Sequence, residues 1–129
     1  MVKSYKDLEV WKKSIELVKQ LYLTTENFPT KELYGLTSQM RRAAISIPSN
    51  IAEGKARQYS LEFVRFLYVA LGSCAELETQ LIIAMDLGYA REKTVNAILE
   101  SLDHIGKMLT KLIKTIRPSN NENRKANSE

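Results

Sequence analysis

The chain has 129 residues, 44% of them hydrophobic, enough for one core and too few for two comfortable domains. Its formal charge of +4 and pI near 9.2 are compatible with an anionic partner without requiring one. Five glycines and three prolines give too little punctuation for an all-β fold, and the single cysteine, Cys74, excludes an intrachain disulfide. MVKSYKDLEV has no signal-like apolar run, and no uninterrupted apolar run approaches the roughly 20 residues that span a bilayer. A cytoplasmic protein with no membrane segment is expected.

Four helical segments follow in chain order. In the first, Asp7 is placed to cap the N-terminus, and Leu8, Trp11, Ile15, Val18 and Tyr22 recur at 3-4 spacing, with Val10, Leu17 and Leu21 beside them. Pro29 closes this segment, and Thr30 is placed to cap a second helix running to Gly54. The apolar positions of the second helix are Leu36, Met40, Ala43, Ala44, Ile47 and Ile51. Pro48 removes an N–H in its middle, so a kink or a short break is expected there. Ser60 is placed to cap the third helix, which runs to Leu87 and stops at Gly88. The fourth, from Ala90 to Ile116, carries the stripe Val95, Ile98, Leu102, Ile105, Leu109, Leu112 and Ile116, with Pro118 as its stop.

Helices of this length joined by short loops predict an all-α fold, an antiparallel up-down-up-down four-helix bundle over residues 1–117 with a kinked second helix. Residues 118–129, almost free of apolar side chains, are expected to form a disordered polar tail. The third helix is apolar around most of its circumference, through Phe63, Val64, Phe66, Leu67, Tyr68, Val69, Leu71, Leu77, Leu81, Ile82 and Ile83. Such a helix needs cover on nearly every side, so self-association is expected.

On the second helix the face opposite the apolar stripe carries Ser38, Arg42, Ser49 and Glu53, flanked by Gln39, Ser46 and Asn50. On the third, Glu78 lies at helical spacing from Leu71, Cys74, Ala75, Leu81 and Ile82, where an unpaired carboxylate would be costly to bury. Arg42 is its natural mate, with Glu76 as a second candidate. The set Arg42, Ser46, Asn50, Glu53, Glu76 and Glu78 reads as a structural polar network between helices or subunits; a binding site made of the same residues is the alternative.

The string YGLTSQMRRAAISIPSNIAEG (34–54) then becomes informative, with DLEVWKKS near the start, ENFPTKELYGLTSQ leading in and FLYVALGSCAELETQL after it. It resembles the four-helix bundle proteins encoded in intervening sequences of bacterial 23S ribosomal RNA genes, over about residues 5 to 116. The resemblance implies a ring-like homopentamer without catalytic activity. The fold is also similar to that of the accessory protein of diversity-generating retroelements, which works with a reverse transcriptase and nucleic acid. That similarity implies a nucleic-acid-processing protein as a partner.

The residues themselves offer little catalytic chemistry. One His (His104), one Cys, no metal-ligand spacing and no glycine-rich phosphate loop predict no enzyme, no metal and no cofactor. Two basic patches stand out. Arg41, Arg42, Lys55, Arg57 and Arg65 oppose Glu53 and Glu62, and Lys107, Lys111 and Lys114 repeat at i, i+4, i+7. The second patch is equally explained by the negative end of its helix dipole. Tyr59, beside Arg57, is the best placed aromatic for stacking on a base. The candidate nucleic-acid contacts are therefore Arg41, Lys55, Arg57, Arg65, Lys107, Lys111 and Lys114. The expected function is a homo-oligomeric scaffold that binds RNA or DNA through these patches, reading the backbone rather than the sequence. The alternative is an oligomeric protein-interaction module with no nucleic-acid role.

Overall fold

The computed structural model describes residues 4–128, with side chains through Ile116. Tyr5–Asp7 form one turn of 3-10 helix, followed by α1 (Glu9–Thr25), a second 3-10 turn (Thr30–Glu32), α2 (Leu36–Lys55), α3 (Ser60–Asp86) and α4 (Glu92–Ser128). Among the described residues α1 packs on α2 and α4, and α3 on α2 and α4, with no contact along either diagonal. Neighbours run antiparallel. Arg41 near the start of α2 meets Thr25 at the end of α1, Ser46 meets Ser73 midway, and Leu8 and Val10 share a groove with Met108 and Leu112. α4 runs past the stop expected at Pro118, and the side chains of the tail expected over 118–129 lie outside the described residues.

Most helix boundaries come out as expected to within a turn, but α2 starts more than a turn after the expected Thr30 cap and α4 runs beyond the expected Ile116. Three of the four expected caps do different work. Asp7 belongs to the preceding 3-10 turn: its carboxylate accepts from the Ser4 amide at 3.2 Å while Ser4 Oγ accepts from the Lys6 amide. Leu8 then holds the cap position of α1 without a side-chain bond. Thr30 opens the second 3-10 turn rather than α2, whose cap position is Gly35. The carboxylate of Glu32 takes over there, accepting from the Leu36 amide at 3.4 Å and from the Tyr89 hydroxyl at 2.9 Å, a negative group at the positive end of the helix. Ser60 is the first residue inside α3 and Tyr59 its cap. Gly88 does end α3. At φ 79° its amide reaches Met85 O and the Tyr89 amide reaches Ala84 O, the paired bonds of a Schellman stop.

The core is built from the expected faces of α2 and α4. Met40, Ala43, Ala44, Ile47 and Ile51 are buried, as are Val95, Ile98, Leu102, Ile105 and Leu109, after which burial passes from Leu112 to Ile113. α2 runs through Pro48 without interruption, so of the two expected outcomes the break is excluded. Gly54 lies inside α2 and is buried, which makes it a packing residue and not a terminator.

α1 corrects the expectation. Its buried face is Val10, Ser14, Leu17, Leu21 and Thr25, while Leu8, Trp11, Ile15 and Val18 are half-buried and Tyr22 is exposed. The two small polar residues enter the core because their hydroxyls are satisfied by their own helix. Ser14 Oγ donates to Trp11 O at 2.7 Å, and Thr25 Oγ1 donates to Leu21 O at 2.9 Å. Trp11 instead meets Tyr5 edge-on, ring centroids 5.3 Å apart.

α3 is long and apolar enough to cross a bilayer by length and composition, yet it packs into the bundle between α2 and α4, with Val64, Leu67, Ala70, Cys74, Leu77, Leu81 and Ala84 facing inward. Its opposite side keeps Tyr68, Val69, Ile82 and Ile83 between 40% and 49% exposed. The apolar surplus seen in the sequence is therefore an open face of the subunit.

Candidate nucleic-acid interface

Antiparallel packing brings to one end of the bundle the close of α2, the turn into α3, the start of α1 and the last described turns of α4. Two basic clusters far apart in sequence meet there. Lys55 ends α2, with its ammonium 5.8 Å from the centroid of Phe63. Arg57, in the following turn, lies 4.9 Å from the Phe66 centroid and donates from Nη2 to Glu53 Oε1 at 3.0 Å. Its side chain is still 44% exposed, so the pair holds the guanidinium in place without burying it. Lys111 and Lys114 project from α4 at the rim of the groove against α3, and Arg65 is exposed on α3.

Lys6 joins this end from the start of the chain, and Lys12 stands above it at the height of Lys107. In the sequence they are interleaved with Asp7 and Glu9 and give no local cluster. Lys12 pairs with Glu9 at 3.3 Å, and Lys6 lies 6.0 Å from the Tyr5 centroid. Against these cations stand Asp7, Glu9, Glu53 and Glu62, so positive groups prevail. At the opposite end Glu26, Glu32, Asp86 and Glu92 are balanced by Lys31, Arg41, Arg91 and Lys93. The subunit is thus polarised along its axis. Tyr59 stands at the basic end, 62% exposed.

Two expected contacts are placed differently. Lys107 sits higher on α4 and is paired with Asp103 at 3.0 Å. Arg41 lies toward the other end of the bundle and ties α2 to α1. Its Nε donates to Thr25 Oγ1 at 3.0 Å, and its guanidinium covers the Tyr22 ring at 4.5 Å.

The expected polar network divides in two, and one of its pairs is not formed. Ser46, Asn50 and Ser73 make a continuous chain across α2 and α3. Asn50 Nδ2 donates to Ser46 Oγ at 2.8 Å, the Ser46 and Ser73 hydroxyls are 2.8 Å apart, and Ser73 Oγ donates to Val69 O at 3.2 Å. Glu76 accepts from Gln80 Nε2 at 3.3 Å and lines a shallow depression with Gln39, Arg42 and Ser46. Among the described residues no salt bridge joins Arg42 to Glu76 or to Glu78. Glu78 is exposed, beside the α3–α4 groove with Leu71, Cys74 and Gly106. Two residues along a helix turn about 200°, so Glu76 and Glu78 cannot both face α2. Glu78 looks to α4, and Arg42 is exposed on the other side of α3.

Reactive chemistry is sparse. The Cys74 thiol is pushed up to about 11, first by burial and then by the charge of Glu78, which leaves it protonated and inert at neutral pH. His104 is exposed on α4, in the groove facing Lys13, Glu16 and Gln20 of α1. Among the described residues no three His, Cys, Asp or Glu side chains gather as a metal site would require.

A structural relative has the same architecture: a protein of unknown function of the S23 ribosomal protein family from Bacteroides thetaiotaomicron VPI-5482. It is 26% identical, with a TM-score of 0.74 over 81% of this chain and 95% of that one. No curated protein is significantly similar to the chain. The family model described as 23S rRNA-intervening sequence protein matches residues 6–111, nearly the whole bundle and all of the stretch YGLTSQMRRAAISIPSNIAEG that leads into and forms α2. The chain belongs to the 23S rRNA-intervening sequence protein family.

Proposed function

We propose that this protein is a non-enzymatic, homo-oligomeric helical scaffold of the cytoplasm that binds RNA or DNA through the basic end of the bundle, alongside a nucleic-acid-processing protein. The observation that carries the reading is the convergence of Lys55, Arg57, Lys111 and Lys114 at that end, reached from two segments more than fifty residues apart. Cations held by cation–π contact over Phe63 and Phe66 are pre-positioned for phosphate, and phosphate contact is the dominant source of non-specific affinity. Copies assembled side by side would multiply those contacts through effective concentration.

The test is fluorescence anisotropy of the full chain with labelled structured RNA, duplex DNA and single-stranded DNA, from about 50 to 200 mM salt. Affinity should fall by orders of magnitude over that range and be lost on Lys55→Glu with Arg57→Glu. Salt-independent binding, or none at the low-salt end, overturns the reading.

A second reading rests on the α3–α4 groove, whose floor of Leu71, Cys74, Ala75 and Gly106 is rimmed by Lys107, Lys111 and Lys114. An acidic helix of another protein fits such a groove. Capture of a partner that survives nuclease treatment and is lost on reversing those lysines would favour it.

A further inference from the structure

We infer that the basic end takes an unpaired RNA or DNA strand in preference to a duplex, with Tyr59 as the platform on which a base stacks. The inference rests on the nucleic-acid reading above and narrows it. Phosphate contact alone does not distinguish one strand from two, since Lys and Arg meet the same backbone in both. An exposed aromatic ring among those cations does distinguish them. In a duplex the base faces are covered by their neighbours, whereas in a single strand every base has a free face.

Three observations place the ring for that task. Tyr59 is 62% exposed, within the short turn between Arg57 and the first residue of α3. Its backbone is fixed, since its carbonyl accepts from the amides of both Glu62 and Phe63, at 3.1 and 3.2 Å. A ring carried on a rigid turn loses little freedom when a base lies on it. The other aromatics of this end are engaged. Phe63 and Phe66 lie against Lys55 and Arg57, and Tyr5 against Trp11. The ring is thus the free aromatic surface of the basic end, within one or two residues of Arg57 and at the level of the last described lysines of α4.

The probes are labelled oligo(U) and oligo(dT) of about 20 nucleotides, with a duplex of the same length, titrated by anisotropy between about 50 and 200 mM salt. The single strands should bind more tightly than the duplex. Tyr59→Ala and Tyr59→Leu should weaken single-strand binding about 5- to 150-fold, the range expected for one stacked base, while Tyr59→Phe, which keeps the flat ring, stays close to the parent. The exposed position predicts unchanged melting temperatures for all three variants. Equal affinity for duplex and single strand, or parental affinity in Tyr59→Ala and Tyr59→Leu, overturns the inference and leaves the electrostatic reading standing. Absence of binding to every probe at low salt overturns both.

Discussion

Gly54 sits where a β-carbon would come within 2.7 Å of Phe66 Cβ and 3.3 Å of the Phe63 carbonyl oxygen, atoms fixed to the backbone of α3 that cannot swing away. Gly54→Ala gains about 1 kcal/mol of helix propensity and, against atoms that cannot move, loses about 2–3 kcal/mol to overpacking, the upper part of the usual range. The expected result is a fall in melting temperature of about 3–8 °C. Gly106→Ala is the control, because its β-carbon would meet only Leu71 Cδ2, at an ordinary 4.0 Å, and should stabilise by about 0.5–1 kcal/mol. The same sign for both variants would refute the packing role of Gly54. Cys74 gives a pH prediction. Its pKa rises from 9.0 to about 11 on folding, so the unfolded chain releases this proton first and stability is lost as pH climbs through that window. The loss amounts to about 2–3 kcal/mol at most. Tyr89, raised by its hydrogen bond to Glu32, adds a change of the same sign, so the readout is the difference between parent and Cys74→Ala. Melts from pH 8 upward should decline less steeply in the variant, and identical slopes would contradict the assignment.

At the scale of the element, the contact between α2 and α3 combines close approach at Gly54 with the directional chain from Asn50 through Ser46 and Ser73 to the Val69 carbonyl. Removing Ser46 leaves Asn50 and Ser73 each short of a partner, so Ser46→Ala should destabilise by about 1–2 kcal/mol. In Ser46→Ala with Ser73→Ala the shared bond is lost once, and the pair should fall short of additivity by about 0.5–1 kcal/mol in a urea-denaturation cycle. Strict additivity would mean the hydroxyls do not communicate. The α1 element shows why its face was hard to read. Two 3-4 stripes compete there, and the buried one contains Ser14 and Thr25, which look polar in the sequence but satisfy their hydroxyls on their own helix. The faces of α2 and α4 were legible because, apart from Thr37 in the first turn of α2, their buried positions are apolar. The expected pairing of Arg42 with Glu78 does not form among the described residues, and the sequence could not show this, since the side of α3 that a residue faces is set by the neighbouring helices.

For the whole molecule, the open side of α3 is the natural place for another copy, an apolar surface left uncovered by a bundle that needs only one face of each helix. Val69→Lys with Ile83→Lys should leave the fold intact and shift the mass measured by light scattering toward the monomer; an unchanged oligomer would move the interface elsewhere, and a parent that is itself monomeric at all concentrations would remove it. A concentration-dependent melting temperature in the parent, lost in the variant, is the linked thermodynamic sign. The axial polarity of charge belongs to this scale as well. No segment of the sequence is strongly basic, and the basic end exists because four segments terminate together.

The sequence by itself determined the number of helices, most of their ends to within a turn, the core faces of α2 and α4 and the stop at Gly88. These depend on interactions within four residues along one helix, which periodicity records directly. Tertiary structure decided which stripe of α1 is buried, that Gly54 is a contact and not a terminator, that Arg41 serves the fold, and that Lys6, Lys55, Arg57, Lys111 and Lys114 share one end. Each of these depends on what another helix presents at the same height, and that information lies in the packing of distant segments and not in the spacing of near ones.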